Sequence, residues 1–95
     1  MYRIFESKAF KRSYRRLLRS GKIGAKARAE FIRILHTLRS GNPLPSHNRD
    51  HALVGEQKGY RECHIKGDLL LVYEVRDDVL ILVLVDIGSH SELFG

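Results

Sequence analysis

The spacing of apolar residues changes from a helical to a strand-like period near the middle of the chain. Over residues 7–39, apolar side chains recur every three or four positions, which is typical of amphipathic helices. Ser7 is a favourable N-cap for a first helix that ends near Ser20-Gly21, and a second helix is expected from about Gly24 to Arg39. The pattern predicts a helical hairpin whose inward stripes are Phe10, Tyr14, Leu17 and Leu18, then Ala27, Phe31, Ile34, Leu35 and Leu38.

Strand-like segments flank this hairpin on both sides. A loop rich in Pro, Ser, Asn and His follows it, and the period then becomes two or the segments become almost continuously apolar. The expected strands are residues 2–5, 60–65, 69–75 and 79–85, with a small additional strand within 52–54. The order β-α-α-β-β-β predicts an α+β fold, with the helical hairpin packed on one face of a curved, mainly antiparallel sheet. At 95 residues the chain is expected to be one domain, residues 1–95.

Positive charge is concentrated in the helical hairpin. The formal net charge is +6, and residues 8–28 carry nine Lys or Arg side chains with no Asp or Glu among them. These cations are Lys8, Lys11, Arg12, Arg15, Arg16, Arg19, Lys22, Lys26 and Arg28. Because unrelieved like charges repel one another, the cluster favours an acidic partner, either nucleic acid or an acidic protein, over a merely solvated helix face.

Cysteine content and hydropathy indicate the compartment. The single cysteine, Cys63, excludes an intramolecular disulfide, and it alternates inward, so it is expected to be a small buried residue rather than a nucleophile. The N-terminus has no apolar run of signal-peptide length, and the longest apolar stretch, residues 79–85, is far too short to span a bilayer. We therefore expect a soluble, cytoplasmic protein with no membrane partner.

Three histidines and one aspartate next to turns or strand ends are the candidates for chemistry: His51, His64, His90 and Asp68. His64 and Asp68 flank one hairpin turn, so their side chains can be neighbours. The set suits cleavage of RNA by its own 2′-OH. A base removes the 2′-OH proton, an acid protonates the departing 5′ oxygen, and a cation stabilises the charged phosphorane. Histidine suits both proton transfers because its ordinary pKa lies near working pH.

Other interpretations of these residues stay open on the sequence alone. Each histidine can be structural, and His36 and His47 are expected to have no catalytic role. Three histidines and an aspartate can also bind zinc, but their spacings match no compact ligand motif, so no metal or cofactor is expected. Arg61 is a candidate phosphate cation, although strict alternation points it to the sheet face opposite His64. Glu62 shares the face of His64 and either orients a histidine or is solvated.

Four segments of the C-terminal half resemble, in order and in spacing, the YafQ branch of the RelE/ParE toxin superfamily. They are Asp50-His51-Ala52-Leu53-Val54-Gly55, Gly59-Tyr60-Arg61-Glu62-Cys63-His64-Ile65, Asp68-Leu69-Leu70-Leu71-Val72-Tyr73 and Gly88-Ser89-His90-Ser91-Glu92-Leu93-Phe94-Gly95. The two basic helices fit the remaining half, so the resemblance covers nearly the full chain. It implies a RelE-like fold and a type II toxin that cleaves mRNA in the ribosomal A site. It also implies an operon-encoded antitoxin that wraps and neutralises the toxin.

The resemblance assigns roles to particular residues. It implies that His51, His64, Asp68 and His90 form the acid/base and phosphate-binding cluster, and that Phe94 positions an RNA base. The mRNA and the ribosome are then the expected partners. Ribosomal RNA is expected to contact the cations of the first helix, which are Lys8, Lys11, Arg12, Arg15, Arg16 and Arg19. Operator DNA is expected to be contacted only through the antitoxin complex.

Two positions depart from the family pattern. Leu69 stands where some relatives carry a tryptophan that could contact RNA, and Asp86 stands where some carry an arginine. The first departure affects base contacts, and the second removes a cation that could neutralise the phosphate. That cation is then expected from Arg61 or from an arginine of the helices.

Two other function classes compete with a nuclease. One is a ParE-like gyrase inhibitor on the same fold, which has no chemical use for the histidine set. The other is a nucleic-acid-binding protein that uses the basic helices without catalysis. The latter predicts that RNA binding survives the loss of every histidine and that no cleavage occurs.

Overall fold

A computed structural model describes all 95 residues and contains five strands and three α-helices. The elements are β1 Arg3–Glu6, α1 Lys8–Arg19, α2 Ala25–Arg39, β2 His51–Ala52, β3 Arg61–Lys66, β4 Leu69–Arg76, β5 Ile81–Gly88 and α3 His90–Phe94. Two short 3₁₀ turns, Ser46–Asn48 and Gly55–Gln57, flank β2. The predicted α+β class and the order of the main helices and strands are confirmed. None of the helices has the length and hydrophobicity needed to span a bilayer.

All five strands belong to one sheet, in the order β1-β5-β4-β3-β2. The strands from β2 to β5 pair antiparallel with their neighbours, whereas β1 lies at the edge and pairs parallel with β5. The register shifts once between His64 and Lys66 and once between Val72 and Tyr73. Such bulges bend the strands that carry them, and a predominantly antiparallel, curved sheet was expected from the sequence.

Both long helices begin and end where the sequence predicts. The Ser7 side chain accepts a hydrogen bond from the Phe10 N–H at 3.0 Å and donates one to the Val85 carbonyl at 2.6 Å, so it caps α1 and also fixes α1 to β5. Ser20 closes α1, and Gly21 follows with φ +72°, a left-handed conformation that glycine adopts without a steric penalty. The second helix starts after Gly24, its N-cap.

The helical hairpin covers one face of the sheet and forms the core there. Phe10, Tyr14 and Phe31 pack together with ring centroids 5.6–6.0 Å apart, joining α1 to α2. Leu71 and Ile87 meet the helices from β4 and β5 and are fully buried. The α1 stripe differs from the prediction at one position. Leu18 is 42% exposed, and Ser13 is buried in its place, because the helix presents its Phe10–Leu17 line to the sheet.

The predicted limits of two strands are wrong by one to three residues. The last strand begins at Ile81 and ends at Gly88, because Val79 and Leu80 form the preceding turn, with Leu80 at φ +53°. Val85 is the extra residue at the register shift, and pairing with β4 continues beyond it through Asp86 and Ile87 to Gly88. The small strand expected at residues 52–54 is instead His51–Ala52, which pairs with Arg61 and Glu62 of β3.

Candidate active site

The face of the sheet that the helices leave open carries a row of polar residues. Cα partners in antiparallel strands share a face, so the pairings place His51, Glu62, Val72 and Asp86 in one row across β2 to β5. The next row, closer to the β3–β4 turn, contains His64, Leu70 and Gly88. Leu70 and Val72 are 2% and 3% exposed but lie outside the main core cluster, so they form the apolar floor of this face.

The Glu62 carboxylate lies between two of the candidate histidines. Its Oε1 atom is 3.5 Å from Nε2 of His51 and 3.7 Å from Nε2 of His64, and the Glu62 side chain is only 8% exposed. The two imidazoles are 50% and 29% exposed, so both can be reached from solution. The sequence left open whether Glu62 orients a histidine or is solvated, and its burial favours the orienting role. His51 is held from its other side by an Nδ1 contact of 2.8 Å with the Arg49 carbonyl oxygen.

His90 and Asp68 meet at the end of the sheet. The Asp68 carboxylate, in the β3–β4 turn, accepts a hydrogen bond from the N–H of His90, the first residue of α3, at 3.4 Å. It makes no hydrogen bond with the imidazole of His64, so the His64–Asp68 contact that the sequence allows is replaced by one to the first residue of α3. The ring of Phe94 lies 5.3 Å from that of His90, one helical turn further on. The two predicted site residues of the C-terminal tail are therefore adjacent.

A capping box holds α3 in this position. The Ser89 hydroxyl accepts from the Glu92 N–H at 3.2 Å, and Glu92 Oε1 accepts from the Ser89 N–H at 2.8 Å, which lowers the pKa of the Glu92 carboxyl. Arg16 of α1 approaches Glu92 at 3.7 Å. A side chain at Gly88 would lie 3.0 Å from Glu92 Oε1, so glycine permits this close approach. The geometry around His90 thus depends on Gly88, Ser89 and Glu92 together.

Arg61 lies on the opposite face from His64. It pairs across the strands with Tyr73, a core residue, and donates to both carboxylate oxygens of Asp50 at 3.3 Å, which raises the pKa of Arg61. The Tyr73 hydroxyl donates to the same carboxylate, and burial together with this bond raises the pKa of Tyr73. The structure does not bring Arg61 together with His64, so its role as a phosphate cation stays a prediction. Its ion pair does fix Asp50, the residue before His51.

A buried polar network supports the site from behind, and no local pattern in the sequence predicts it. Asn48 is fully buried, and its amide donates to the His64 main-chain carbonyl at 2.8 Å and to Glu30 at 3.0 Å. Its side-chain oxygen accepts from Arg33 at 2.7 Å. Arg33 also donates to both carboxylate oxygens of Glu30, at 2.9 and 2.6 Å, and holds the pKa of Glu30 well below its ordinary value. His47, which the sequence left without a role, contacts Glu30 at 3.0 Å.

Cys63 lies in the core, away from the open face that carries the candidate histidines. It is fully buried next to His64 in sequence but on the core side of β3, and burial raises the pKa of its thiol to about 12. The interpretation of Cys63 as a buried residue is confirmed. No three His, Cys, Asp or Glu side chains converge in an arrangement that could hold a metal ion.

The basic residues of α1 form a separate surface. Lys8, Lys11, Arg12, Arg15, Arg16 and Arg19 are all exposed. Only Arg16 has a carboxylate within ion-pair distance, the Glu92 side chain. The helix therefore presents to solvent an almost uncompensated positive charge, as its composition predicted.

Comparison with known proteins gives consistent matches. The family model described as "Bacterial toxin of type II toxin-antitoxin system, YafQ" matches residues 2–95. A putative toxin YafQ of Haemophilus influenzae is 44% identical over 66 residues, which cover 67% of this chain and 65%, just under two thirds, of that protein. The mRNA interferase toxin YafQ of Escherichia coli K12 is 39% identical over 66 residues, 67% of this chain and 70% of that protein. A chain in the crystal structure of the E. coli DinJ–YafQ complex superposes over the full length of both, with a TM-score of 0.83 and 27% identity.

Replacing Asn48 with alanine is expected to lower the free energy of unfolding by about 3 kcal/mol, because the buried His64 carbonyl and the Glu30–Arg33 pair each lose a partner. Urea unfolding followed by circular dichroism measures this loss. The matched control is Asn42→Ala, an exposed asparagine whose side chain makes no hydrogen bond, for which a change below about 0.5 kcal/mol is expected. Equal stability of the two variants would contradict the anchoring role of Asn48.

Proposed function

The chain belongs to the YafQ family of toxins of type II toxin–antitoxin systems, and from that premise we propose that it is an mRNA interferase. In this proposal the protein cleaves mRNA in the ribosomal A site, without a metal ion, and thereby inhibits translation. The E. coli relative bears the name mRNA interferase toxin. The observation that carries the proposal for this chain is the pair of accessible imidazoles, His51 and His64, on either side of the nearly buried carboxylate of Glu62.

The proposed reaction is attack by the RNA's own 2′-OH. A base removes the 2′-OH proton, the freed oxygen bonds to the adjacent phosphorus, and the bond from phosphorus to the 5′ oxygen breaks. An acid delivers a proton to that departing oxygen, leaving a 2′,3′-cyclic phosphate and a 5′-OH. Within this scheme His51, His64 and His90 are the groups suited to the two proton transfers.

The remaining site residues receive supporting roles in the proposal. Asp68 fixes the start of α3, and so the position of His90, through its bond to the His90 N–H. Phe94 lies beside the His90 ring and offers a face on which an RNA base can stack. Arg61 remains a candidate for neutralising the phosphate, and its ion pair with Asp50 supports an additional role in holding His51.

The proposed partners follow from charge and from the relatives. The exposed cations of α1 suit ribosomal RNA, whose phosphates attract such a surface. A cognate antitoxin is proposed because the E. coli YafQ crystallises in a complex with DinJ. Operator DNA would be contacted through that antitoxin complex, and the site of action would be the cytoplasm, where ribosomes are found.

The gyrase-inhibitor alternative differs in what it requires of the histidines. A binding module on this fold has no use for two imidazoles held by a shared carboxylate on an open face. Histidine variants therefore separate the two functions, because a gyrase inhibitor would cut no message in the presence of ribosomes, and its inhibition of growth would survive replacement of the histidines.

Replacing His64 or His90 with alanine is expected to lower the rate of mRNA cleavage by about a hundredfold or more, because each change removes a candidate proton-transfer group. The measurement is primer extension on a defined message with programmed ribosomes. A chelator is added for trace zinc while free Mg²⁺ is kept in excess. The control is His36→Ala, an exposed histidine of α2, which should cleave like the wild type. Full activity in both the His64 and His90 variants would remove the catalytic assignment.

The affinity for ribosomes is expected to fall steeply between roughly 50 and 200 mM salt, because binding through α1 releases counterions from RNA. The double variant Arg12→Gln/Arg15→Gln should show a shallower dependence, by about 0.7–0.9 in the log–log slope for each lost phosphate contact. Co-sedimentation across a salt series measures both. An affinity that stays flat over this range would contradict the electrostatic role of α1.

A further inference from the structure

We propose that a cation-lined cavity beside His64 binds a backbone phosphate of the message next to the scissile one. The cavity has a volume of about 580 Å³ and lies between the start of α2, the 3₁₀ turn before β2 and the β3–β4 turn. Its lining includes Lys26, Arg49, Lys66, His47, His64 and Glu30. The proposal rests on the proposed function, since it specifies how that same site holds its substrate.

The lysines and the arginine of this cavity have no carboxylate partner. Lys26, Arg49 and Lys66 are exposed, and none of them lies within ion-pair distance of an Asp or Glu. They come from three separate segments of the chain that the fold brings to one cavity. Like charges that converge without relief repel one another, and a bound anion removes that repulsion.

The one carboxylate in the cavity wall is already neutralised. Glu30 accepts hydrogen bonds from Arg33 and Asn48 and contacts His47. The Arg33 guanidinium keeps the pKa of the Glu30 carboxyl far below its ordinary value. The Glu30–Arg33 ion pair thus contributes no net charge, and the three unpaired cations determine the sign of the field in the cavity.

Backbone geometry supports a binding role for Arg49. Its φ of +49° and ψ of +44° lie in the left-handed region, which an arginine seldom adopts. Such conformations persist where surrounding contacts hold them and cluster at ligand-binding sites. Here the buried Asn48 precedes Arg49, and the Asp50–Arg61 ion pair follows it.

The chemistry of the lining favours phosphate over a nucleobase. Ile65 is the only apolar residue that lines the cavity, and no Phe, Tyr or Trp side chain does, so charged and polar groups dominate the lining. The cavity size falls within the range of ligand sites, about 300–1,000 Å³. A sugar–phosphate unit with its charge near the three cations fits this lining.

The open face also needs compensating positive charge for an RNA substrate. Glu62 and Asp86 lie in one row of that face, and Asp86 uses its carboxylate to accept from the Ile87 N–H. The cations that border His64 are those of the cavity. Lys66 also lines a neighbouring hollow with Asp68 and Ser89, which links the cavity to the His90 end of the site.

The test combines protein variants with chemically altered messages. The variant is Lys26→Gln/Lys66→Gln, and its control is Lys58→Gln/Arg76→Gln, which removes the same charge from exposed positions outside the cavity. After the cut site of the wild type is mapped, a set of messages is made with one neutral methylphosphonate at successive positions on either side of it. Single-turnover cleavage in programmed ribosomes gives kcat/KM for each pair.

The cavity variant is expected to cleave the all-phosphate message about tenfold more slowly than the control, the scale of one or two lost phosphate contacts. One methylphosphonate position should slow the wild type and the control by a similar factor and leave the cavity variant unchanged. If every methylphosphonate slows the cavity variant by the same factor as it slows the wild type, the two losses are additive at every position, and the proposal is overturned. A loss in the variant that is the same for every message and matches a weaker affinity for empty ribosomes would assign the cations to ribosomal RNA instead, which also overturns it.

Failure of the proposed function would be visible separately. If the wild type cuts no message, the nuclease proposal fails, and the cavity is then tested by fluorescence anisotropy with a short labelled single-stranded RNA. Weaker RNA binding by the cavity variant than by the control would still support the phosphate site. Equal binding by the two would exclude it.

Discussion

The parallel pairing of β1 with β5 determines where everything else in this fold can lie. With β1 at one edge beside β5 and the next strand, β2, at the opposite edge, the chain must leave the sheet after β1 and cross over one of its faces. Ser7 determines where the chain leaves the sheet, because its hydroxyl both caps α1 and donates a hydrogen bond to the Val85 carbonyl of β5. The helices therefore occupy one face of the sheet, and the other face is left for polar residues.

That division explains how charged groups come to be ordered at the site without disturbing the core. On β3, alternation sends Cys63 into the core and Glu62 and His64 to the open face. A nearly buried carboxylate is costly unless it is paired, and the partners within reach of Glu62 are the two imidazoles, 3.5 and 3.7 Å away. Asn48 then donates a hydrogen bond to the main-chain carbonyl of His64, which anchors β3 at that residue. The site therefore depends on strand register, with only α3 added through a capping box.

The sequence predicts the parts of the structure that depend on neighbours along the chain. Periodicity and capping residues locate both long helices, and alternation places Cys63 correctly. The limits of β5 were missed because pairing across the Val72 bulge, not local hydrophobicity, extends it through Asp86 to Gly88.

Contacts between segments that are far apart in sequence could not be predicted from local patterns. An asparagine in a polar loop is usually exposed, and nothing local reveals that Asn48 is buried against Glu30 and His64. The same holds for Asp68, whose hydrogen-bond partner is the N–H of His90 and not His64, which is nearer in sequence.

The most direct test of the account is a comparison of two messages that differ only by a 2′-deoxynucleotide immediately 5′ of the mapped cut, incubated with wild-type protein and programmed ribosomes. Attack by the 2′-OH predicts that the ribonucleotide message is cut to a 2′,3′-cyclic phosphate and that the deoxy message stays intact. Equal cleavage of both messages would contradict the account, because the nucleophile would then have to be water or a protein group.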